Sequence, residues 1–233
     1  MAIRPVFKAT SSGSTLVETI EVEFEWHAGL SVSQKRKSIA SLHESACMTA
    51  GCSNVLEVSS RSILPLGVGL SAFNLSFEGP DHRQMSVECA FQGSKVFEGG
   101  GPFADLYRET SLNARRDTRL KKSGQLIGFS YFGQDWPLEP KTVFYDWLYV
   151  NALHRAIPLA KELKHFDGFT DIEFNPTKSY NCQAHSVALH QSLLNRGLLQ
   201  EACRSQSGFI KIMTSQSKEG TCDIIPTQSA FNF

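Results

Sequence analysis

The sequence predicts an α+β fold that is rich in helix. Residues 20–26 alternate apolar and acidic side chains, which is the period-2 pattern of a half-buried strand. Residues 33–48 instead place Ile39, Leu42 and Ala46 on one stripe of a helix, whose first turn is basic. Because the strand patterns flank a mostly helical pattern, we expect a helical core with strands at its edges and an N-terminal β-arm.

The remaining elements follow from capping residues and from glycine and proline punctuation. Ser86 is a suitable N-cap for a helix to about Glu98, which the glycines at 99–101 would end. The Trp136-Pro137 pair opens a long helix to about residue 154. Further helices are predicted at 102–110, from there to about 122, after Pro158 and at 181–195, and strands at 55–58, 126–132, 168–174 and 209–213. Residues 65–70 are predicted to be a loop, and a tail rich in Ser, Thr and Gln ends the sequence.

Composition and charge restrict the class of protein. The 233 residues are 41% hydrophobic and 20% charged, which is ordinary for a globular protein that buries its own core. Basic and acidic residues number 23 each, so the formal net charge is zero and gives no overall attraction to nucleic acid. A nucleic-acid contact would need a local patch, and residues 113–122 carry five basic residues and one acidic residue. Such a run is also typical of a solvated helix face.

Cysteine and histidine usage indicates neither disulfides nor a metal. The first residues show no secretory signal pattern, and no apolar run approaches 18 residues. We therefore expect a cytoplasmic location, no membrane contact and reduced thiols at the six cysteines. Neither the cysteines nor the seven histidines have the spacing of a metal site, and no cofactor is expected.

A polar stripe on the helix after Ser86 is the first candidate for chemistry. One residue turns about 100° in an α-helix, so Glu88, Gln92 and Lys95 fall within about 60° of one another. A carboxylate beside an amide and an ammonium is a plausible acid–base group near a sugar. A solvated helix face is the alternative interpretation.

Other segments have features of binding sites. Gly99 and Gly100 precede a predicted helix start, where backbone N–H groups can hold a phosphate, although such glycines are more often plain turns. Trp136 at a helix mouth can stack on a base or belong to the core. The polar residues 170–183, which include Glu173 and Asn181, lie between a strand and a helix, a usual place for binding residues.

Three ordered motifs resemble the NADAR (YbiA-like) superfamily. They are residues 69–74, which end at Asn74, residues 86–95, and the Asp135-Trp136 pair followed by Lys141. The resemblance implies a mostly helical fold with a small sheet. We expect residues 1–50, a β-arm and a helix, to pack on residues 51–233, the catalytic domain, as one compact unit.

The closer similarity is to the NADAR branch associated with DarT-type toxins. It rests on residues 33–39, 56–60, 93–100, 136–142 and 174–179, and it spans about residues 20–200. The resemblance implies an antitoxin that strips ADP-ribose from guanine bases in DNA. Its substrate would be ADP-ribosylated DNA, its product ADP-ribose, and its functional partner a DarT-type toxin.

The family's functional residues transfer to this sequence only in part. The essential helix carboxylate falls on Glu88, the stacking tryptophan on Trp136, and the Phe-Gln-x-x-Lys element on Phe91, Gln92 and Lys95. This chain has Cys89 where the wider family has histidine. The family's acid before the last helix has no clear counterpart, and Asp171 and Glu173 are the substitutes.

A mechanism follows as a hypothesis. Cleavage of the bond between ribose C1″ and a base nitrogen builds oxocarbenium character, which Glu88 would stabilise, or Glu88 would activate water. A lysine would attack the ring-opened C1″ as a Schiff-base nucleophile. Lys35 and Lys37 suit this role because other cations lie close by, and Lys95 is the rival. Ser60 and Arg61 are candidates to bind the diphosphate. Asn74, Gln92, Gly99, Gly100, Glu173 and Asn181 complete the predicted substrate-binding residues.

Two other functions remain open at this stage. A non-catalytic module that binds ADP-ribose or NAD would bind ligand without turnover and would tolerate Glu88→Gln. An antitoxin that blocks its toxin by contact would need neither Glu88 nor Trp136 and would expose a large apolar patch. Fold similarity alone does not decide among these, so the choice depends on the site residues.

Overall fold

The computed structural model describes residues 1–29 and 31–216, so most of the predicted Ser/Thr/Gln-rich tail lies outside the described residues. The strands are β1 (Ala2–Ala9), β2 (Val17–Phe24), β3 (Val55–Glu57), β4 (Ser76–Glu78), β5 (Gln84–Ser86), β6 (Lys95–Phe97), β7 (Leu126–Tyr131), β8 (Gln134–Trp136) and β9 (Gly168–Thr170). The helices are α1 (Val32–Thr49), α2 (Pro65–Gly69), α3 (Val87–Gly93), α4 (Ser111–Arg116), α5 (Arg119–Lys122), α6 (Val143–Arg155), α7 (Ile157–Glu162), α8 (Gln183–Asn195), α9 (Leu199–Arg204) and α10 (Gln206–Gln216). Short 3₁₀ helices cover Ala104–Arg108 and Leu163–His165. The helix-rich α+β class is thereby confirmed.

The largest sheet has the strand order β2-β1-β9-β3. Strand β1 is antiparallel to β2 along its whole length and antiparallel to β9, where Phe7 faces Phe169. Strands β3 and β9 are parallel. The predicted N-terminal β-arm is therefore a hairpin that extends a sheet formed with two later strands.

Helix α1 packs on this hairpin. The Ser31 side chain caps it by accepting a hydrogen bond from the Gln34 backbone N–H at 3.2 Å. The predicted stripe of Ile39, Leu42 and Ala46 is buried in one cluster with Val22 and Phe24. The helical period of the sequence thus predicted both the element and its buried face.

The main core surrounds α6 and α8. Phe144, Leu148 and Tyr149 of α6 are fully buried, as are Val187 and Leu189 of α8. Both helices also bury polar side chains, such as Asp146 of α6 and Ser186 of α8, so they are enclosed on most faces, as is typical of helices at the centre of a domain. Among the described residues, no helix combines the length and apolarity needed to cross a bilayer.

The helix after Ser86 is shorter than predicted. Ser86 does cap it, accepting from the Cys89 N–H at 3.1 Å, but α3 ends at Gly93 and Lys95 begins strand β6. A Cβ on Gly93 would lie 2.5 Å from the Tyr107 ring, so this close approach requires glycine. Pairing of β6 with β7 outweighs the helical preference of the following residues.

The predicted helix from Trp136 is also wrong at its start. Trp136 ends strand β8, where it faces Phe129, and α6 begins only at Val143. The prolines at 137 and 140 lie between strand and helix, where they restrict the preceding residues to extended backbone.

Three smaller predictions are corrected. The predicted loop at 65–70 contains the short helix α2, with Pro65 in its first turn. The predicted basic helix is divided into α4 and α5 around Asp117. The predicted strand at 209–213 belongs to α10, in which Phe209 and Ile212 are buried with the i, i+3 spacing of a helix.

Candidate active site

The described residues enclose a cavity of about 430 Å³ beside the C-terminal ends of β3 and β9. Parallel strands end at the same edge of a sheet, so the segments after β3 and β9 reach one place. Helix α3 contributes a further wall. The cavity is lined by Ser59, Ser60, Arg61, Ser71, Ala72, Phe73, Glu88, Phe91, Gln92, Arg115, Tyr145, Asp171, Glu173, Phe174, Asn175, Lys178, Ser179, Asn181 and Gln183.

The α3 wall carries a buried carboxyl group. Glu88 is 7% exposed and accepts a hydrogen bond from the Gln92 amide at 3.0 Å, one helical turn away. Burial raises the pKa of Glu88, while the Gln92 hydrogen bond and the positive charges of Arg115 and Lys95 act in the opposite direction. A carboxyl group with a raised pKa in a cavity is a good acid–base candidate.

Lys95 reaches this carboxyl group from a strand rather than from the predicted helix face. It is 3% exposed, and its Nζ lies 4.8 Å from the centroid of the Phe91 ring. Burial lowers the pKa of Lys95 to about 8, although the charge of Glu88 opposes that change. Lys95 is not among the residues that line the cavity, but its positive charge lowers the pKa of Glu88, which does line it.

The opposite wall consists of two loops, residues 59–61 after β3 and residues 171–175 after β9. Glu173 Oε1 joins them, lying 3.7 Å from Arg61 Nε and 3.0 Å from the Nζ of Lys35 on α1. The Lys35 ammonium also lies 5.2 Å from the centroid of the Trp26 ring. Lys35 thus adjoins the cavity through Glu173, whereas Lys37 points into solvent on α1.

Two further carboxyl groups belong to this side of the cavity: Asp171 lines the cavity within the loop wall, and Glu57 lies behind the wall. Asp171 is 8% exposed, and burial raises its pKa well above the usual range, with the charge of Glu57 adding to the effect. Burial raises the pKa of Glu57 to about 7, although Ser59, Thr170 and the Ile172 amide donate hydrogen bonds that oppose the change. Sequence reasoning named Asp171 only as a substitute acid and gave Glu57 no role.

Three cations line the cavity and suit it to an anionic ligand. They are Arg61, Arg115 and Lys178. The Arg115 guanidinium lies 5.4 Å from the centroid of the Phe73 ring. Helix α4 holds it there, since Ser111 Oγ at its start donates to the Phe73 carbonyl at 2.8 Å. The sequence showed Arg115 only as part of a basic run and did not reveal that its charge would act on Glu88 of α3.

Six of the predicted catalytic and substrate-binding residues line this cavity, together with Phe91 and Asp171, which the family resemblance also named. The six are Glu88, Gln92, Ser60, Arg61, Glu173 and Asn181. They come from α3 and from the segments after β3 and β9, two parallel strands that lie more than 110 residues apart in the chain.

Four predicted binding residues lie elsewhere. Gly99 and Gly100 belong to a backbone turn, in which their N–H groups already donate to Ser123 and Phe97 at 2.8 and 3.3 Å. Those amides are therefore occupied and do not form the predicted phosphate cradle. Asn74 is exposed and donates to the Val68 carbonyl at 2.9 Å, which fixes the turn after α2.

Trp136 is the fourth of these residues. It is 2% exposed and packs on Phe144 and Trp147, with ring centroids 5.4 and 4.8 Å apart. In this position it is a core residue rather than a stacking platform at a helix mouth. The cavity rings that are partly open to solvent are those of Phe73 and Phe174.

Among the described residues, no group of three or more His, Cys, Asp or Glu side chains is placed to bind a metal ion. The site is instead a cavity with one buried carboxyl group on a helix and cations around it. A concave pocket with converging polar groups and a titratable residue of shifted pKa is the usual form of a binding or active site.

A match to a protein family identifies the class to which the chain belongs. Residues 2–222 match the family described as DarT1-associated NADAR antitoxin. The chain therefore belongs to that family, and the predicted membership is confirmed. No curated protein matches the sequence.

Proposed function

We propose that the protein is an ADP-ribosylglycohydrolase that removes ADP-ribose from guanine bases of DNA. In this role it acts in the cytoplasm as the antitoxin of a DarT-type DNA ADP-ribosyltransferase. The observation that carries the proposal is the Glu88 carboxyl group, which is buried yet lines a cavity with three cations. The family membership supports the pairing with a DarT-type toxin.

Different residues of the cavity bind different parts of an ADP-ribosyl group. Arg61, Arg115 and Lys178 bind the diphosphate, which needs positive charge and N–H donors. Glu88 faces the ribose and stabilises the positive charge that develops at C1″ as the bond to the base breaks. Gln92 holds the carboxylate in place through its 3.0 Å hydrogen bond.

Lys35 is the nucleophile that the geometry favours among the three predicted lysines. Glu173 lies 3.0 Å from its Nζ and lines the cavity, so this carboxylate can take the proton from the ammonium. In the ring-opened substrate C1″ is an imine of the base amine. Lys35 Nζ adds to C1″, the base amine leaves with a proton, and water then hydrolyses the lysine imine to give ADP-ribose and free Lys35.

The decisive experiment is incubation of the purified protein with a guanine-ADP-ribosylated DNA oligonucleotide. Released ADP-ribose is quantified by chromatography for the wild type, for Glu88→Gln and for Glu109→Gln. Glu109 is an exposed carboxylate outside the cavity wall and controls for loss of a negative charge. We expect release by the wild type and Glu109→Gln and loss of release in Glu88→Gln.

The other outcomes separate the competing functions. A normally folded Glu88→Gln variant with full activity would contradict the role of Glu88. Binding of ADP-ribose without any release by the wild type would identify a non-catalytic binding module. Neutralisation of the toxin without binding or release would identify an antitoxin that acts by contact.

A further inference from the structure

The carboxylate of Glu57 lies beneath the loop wall and contacts both loops. It is 2% exposed at the end of β3. Its Oε1 accepts hydrogen bonds from Ser59 Oγ at 2.5 Å and from the Ile172 N–H at 2.9 Å. Its Oε2 accepts from Thr170 Oγ1 at 2.7 Å. One side chain therefore bonds residues that are more than 110 positions apart in the chain.

These contacts continue to the residues that face the ligand. Ser59 Oγ also accepts from the Arg61 N–H at 3.1 Å, which orients the first loop. In the second loop, Asp171 Oδ1 accepts from the Glu173 N–H at 3.0 Å, directly beside the Glu57–Ile172 bond. Arg61 is thus linked to Glu57 through two successive hydrogen bonds. Glu173 directly follows Ile172, whose N–H bonds to Glu57.

We propose that Glu57 is a positioning residue, which sets the separation of loops 59–61 and 171–175 and so preorganises Arg61 and Glu173 for a diphosphate-bearing ligand. The inference rests on the proposed function only for the identity of that ligand. Preorganised groups bind more tightly because no ordering of the loops is left for the binding step.

The local backbone is built to hold Glu57 in this place. Gly67 of α2 packs against it so closely that a Cβ there would lie 2.0 Å from the Glu57 carbonyl oxygen. On the other side, His43 Nε2 lies 2.9 Å from Thr170 Oγ1, whose hydroxyl hydrogen is directed to Glu57. Burial lowers the pKa of His43 to about 4, so near neutral pH the imidazole is uncharged. Because the Thr170 hydrogen is directed to Glu57, His43 donates its Nε2–H to Thr170 Oγ1.

This chemistry distinguishes two substitutions at the same position. In Glu57→Gln the amide oxygen still accepts from Ser59 and Ile172, and the NH₂ group donates to Thr170, whose hydroxyl then turns to His43. All partners remain satisfied. Glu57→Ala removes the anchor from both loops and leaves a buried N–H unpaired.

The test combines amide hydrogen exchange of the free protein with calorimetric titration of ADP-ribose. The variants are Glu57→Ala, Glu57→Gln and Ser59→Ala, with Ser192→Ala as the matched control. Ser192 is a fully buried serine whose hydroxyl donates to the Thr10 carbonyl at 2.7 Å, away from the cavity wall. We expect Glu57→Ala to speed exchange in both loops and to weaken binding at least tenfold, with Glu57→Gln close to wild type.

Ser59→Ala keeps the inference testable if Glu57→Ala does not fold. It should loosen only residues 59–61 and weaken binding about fivefold, the worth of one net hydrogen bond. Its melting temperature should fall no further than that of Ser192→Ala. A purely structural role predicts instead that affinity and melting temperature change together in both serine variants.

The remaining outcomes are decisive as well. Wild-type exchange in both loops of a folded Glu57→Ala variant, with affinity within twofold of wild type, would overturn the inference. If the wild type does not bind ADP-ribose but the loops loosen together in Glu57→Ala, the proposed function fails and the positioning role stands.

Discussion

The two walls of the cavity are built in opposite ways. On the α3 wall, Glu88 and Gln92 lie four residues apart on one helix and bond to each other at 3.0 Å. On the loop wall, Arg61 and Glu173 come from segments that follow two different strands and meet at 3.7 Å. The first arrangement is local in sequence, whereas the second exists only because β3 and β9 are neighbouring parallel strands.

This difference assigns different tasks to the walls. A short buried helix holds a carboxyl group rigidly and raises its pKa through burial, which suits the reacting group. The loop tied to the buried carboxylate of Glu57 presents the long cationic side chain of Arg61, which suits ligand binding. Substitutions on the α3 wall should therefore affect the chemical step, and substitutions among the cations should affect affinity.

Glu88→Gln is expected to show the largest difference between an effect on rate and an effect on affinity. The amide cannot take or give a proton at neutral pH, so the rate of ADP-ribose release should fall about 10²- to 10⁴-fold, the usual contribution of one acid–base group. The dissociation constant for ADP-ribose should stay within threefold of wild type. Single-turnover kinetics and calorimetry measure the two quantities, and a large loss of affinity would show that Glu88 is a binding residue.

The second prediction concerns Lys35, which contacts the loop wall but is proposed to react. Lys35→Gln should slow release by about 100-fold, whereas Lys37→Gln, two residues away and exposed, should leave it unchanged. Borohydride added during turnover should trap a covalent adduct on the wild type and on Lys37→Gln. Trapping on Lys35→Gln would transfer the nucleophilic role to another lysine, with Lys95 as the first to substitute.

The same contrast explains which parts could be predicted from the sequence. The stripe of Ile39, Leu42 and Ala46, the Ser86 cap and the Glu88–Gln92 pair depend on spacings of one to four residues, which the sequence displays directly. Lys95 was placed on the wrong element because the pairing of β6 with β7 ends the helix at Gly93. That pairing involves residues about 30 positions away, which periodicity does not reveal.

The loop wall was only partly predictable for the same reason. The polar character of residues 170–183 indicated a binding segment, but nothing local showed that Glu57 would bond to Ile172 or that Arg115 would approach Glu88. Gly99 and Gly100 illustrate the opposite error. Their composition fits a phosphate-binding turn, but tertiary hydrogen bonds occupy both amides.

Arg115 tests whether the cations act on affinity rather than on rate. It lines the cavity, while its neighbour Arg116 is exposed and is not part of the wall. Arg115→Gln should weaken ADP-ribose binding about tenfold, the usual effect of losing a charge-assisted hydrogen bond, and should reduce the salt dependence of binding. Arg116→Gln should behave as wild type. A loss of rate without a loss of affinity in Arg115→Gln would instead place this cation with Glu88, whose pKa it lowers.

The smallest effect on activity is expected for Trp136, which belongs to neither wall. Its indole N–H makes no hydrogen bond with any described residue, and its ring is enclosed by Phe144 and Trp147. Trp136→Phe therefore removes only ring volume from the core, at a cost of about 1–2 kcal/mol in unfolding free energy. The melting temperature should fall while KM and kcat stay within twofold of wild type.

Phe73→Ala, at a ring that does line the cavity, should instead raise KM without a comparable loss of stability. An increase in KM for Trp136→Phe with an unchanged melting temperature would mean that the ring leaves the core to stack on the base, as the family resemblance implied.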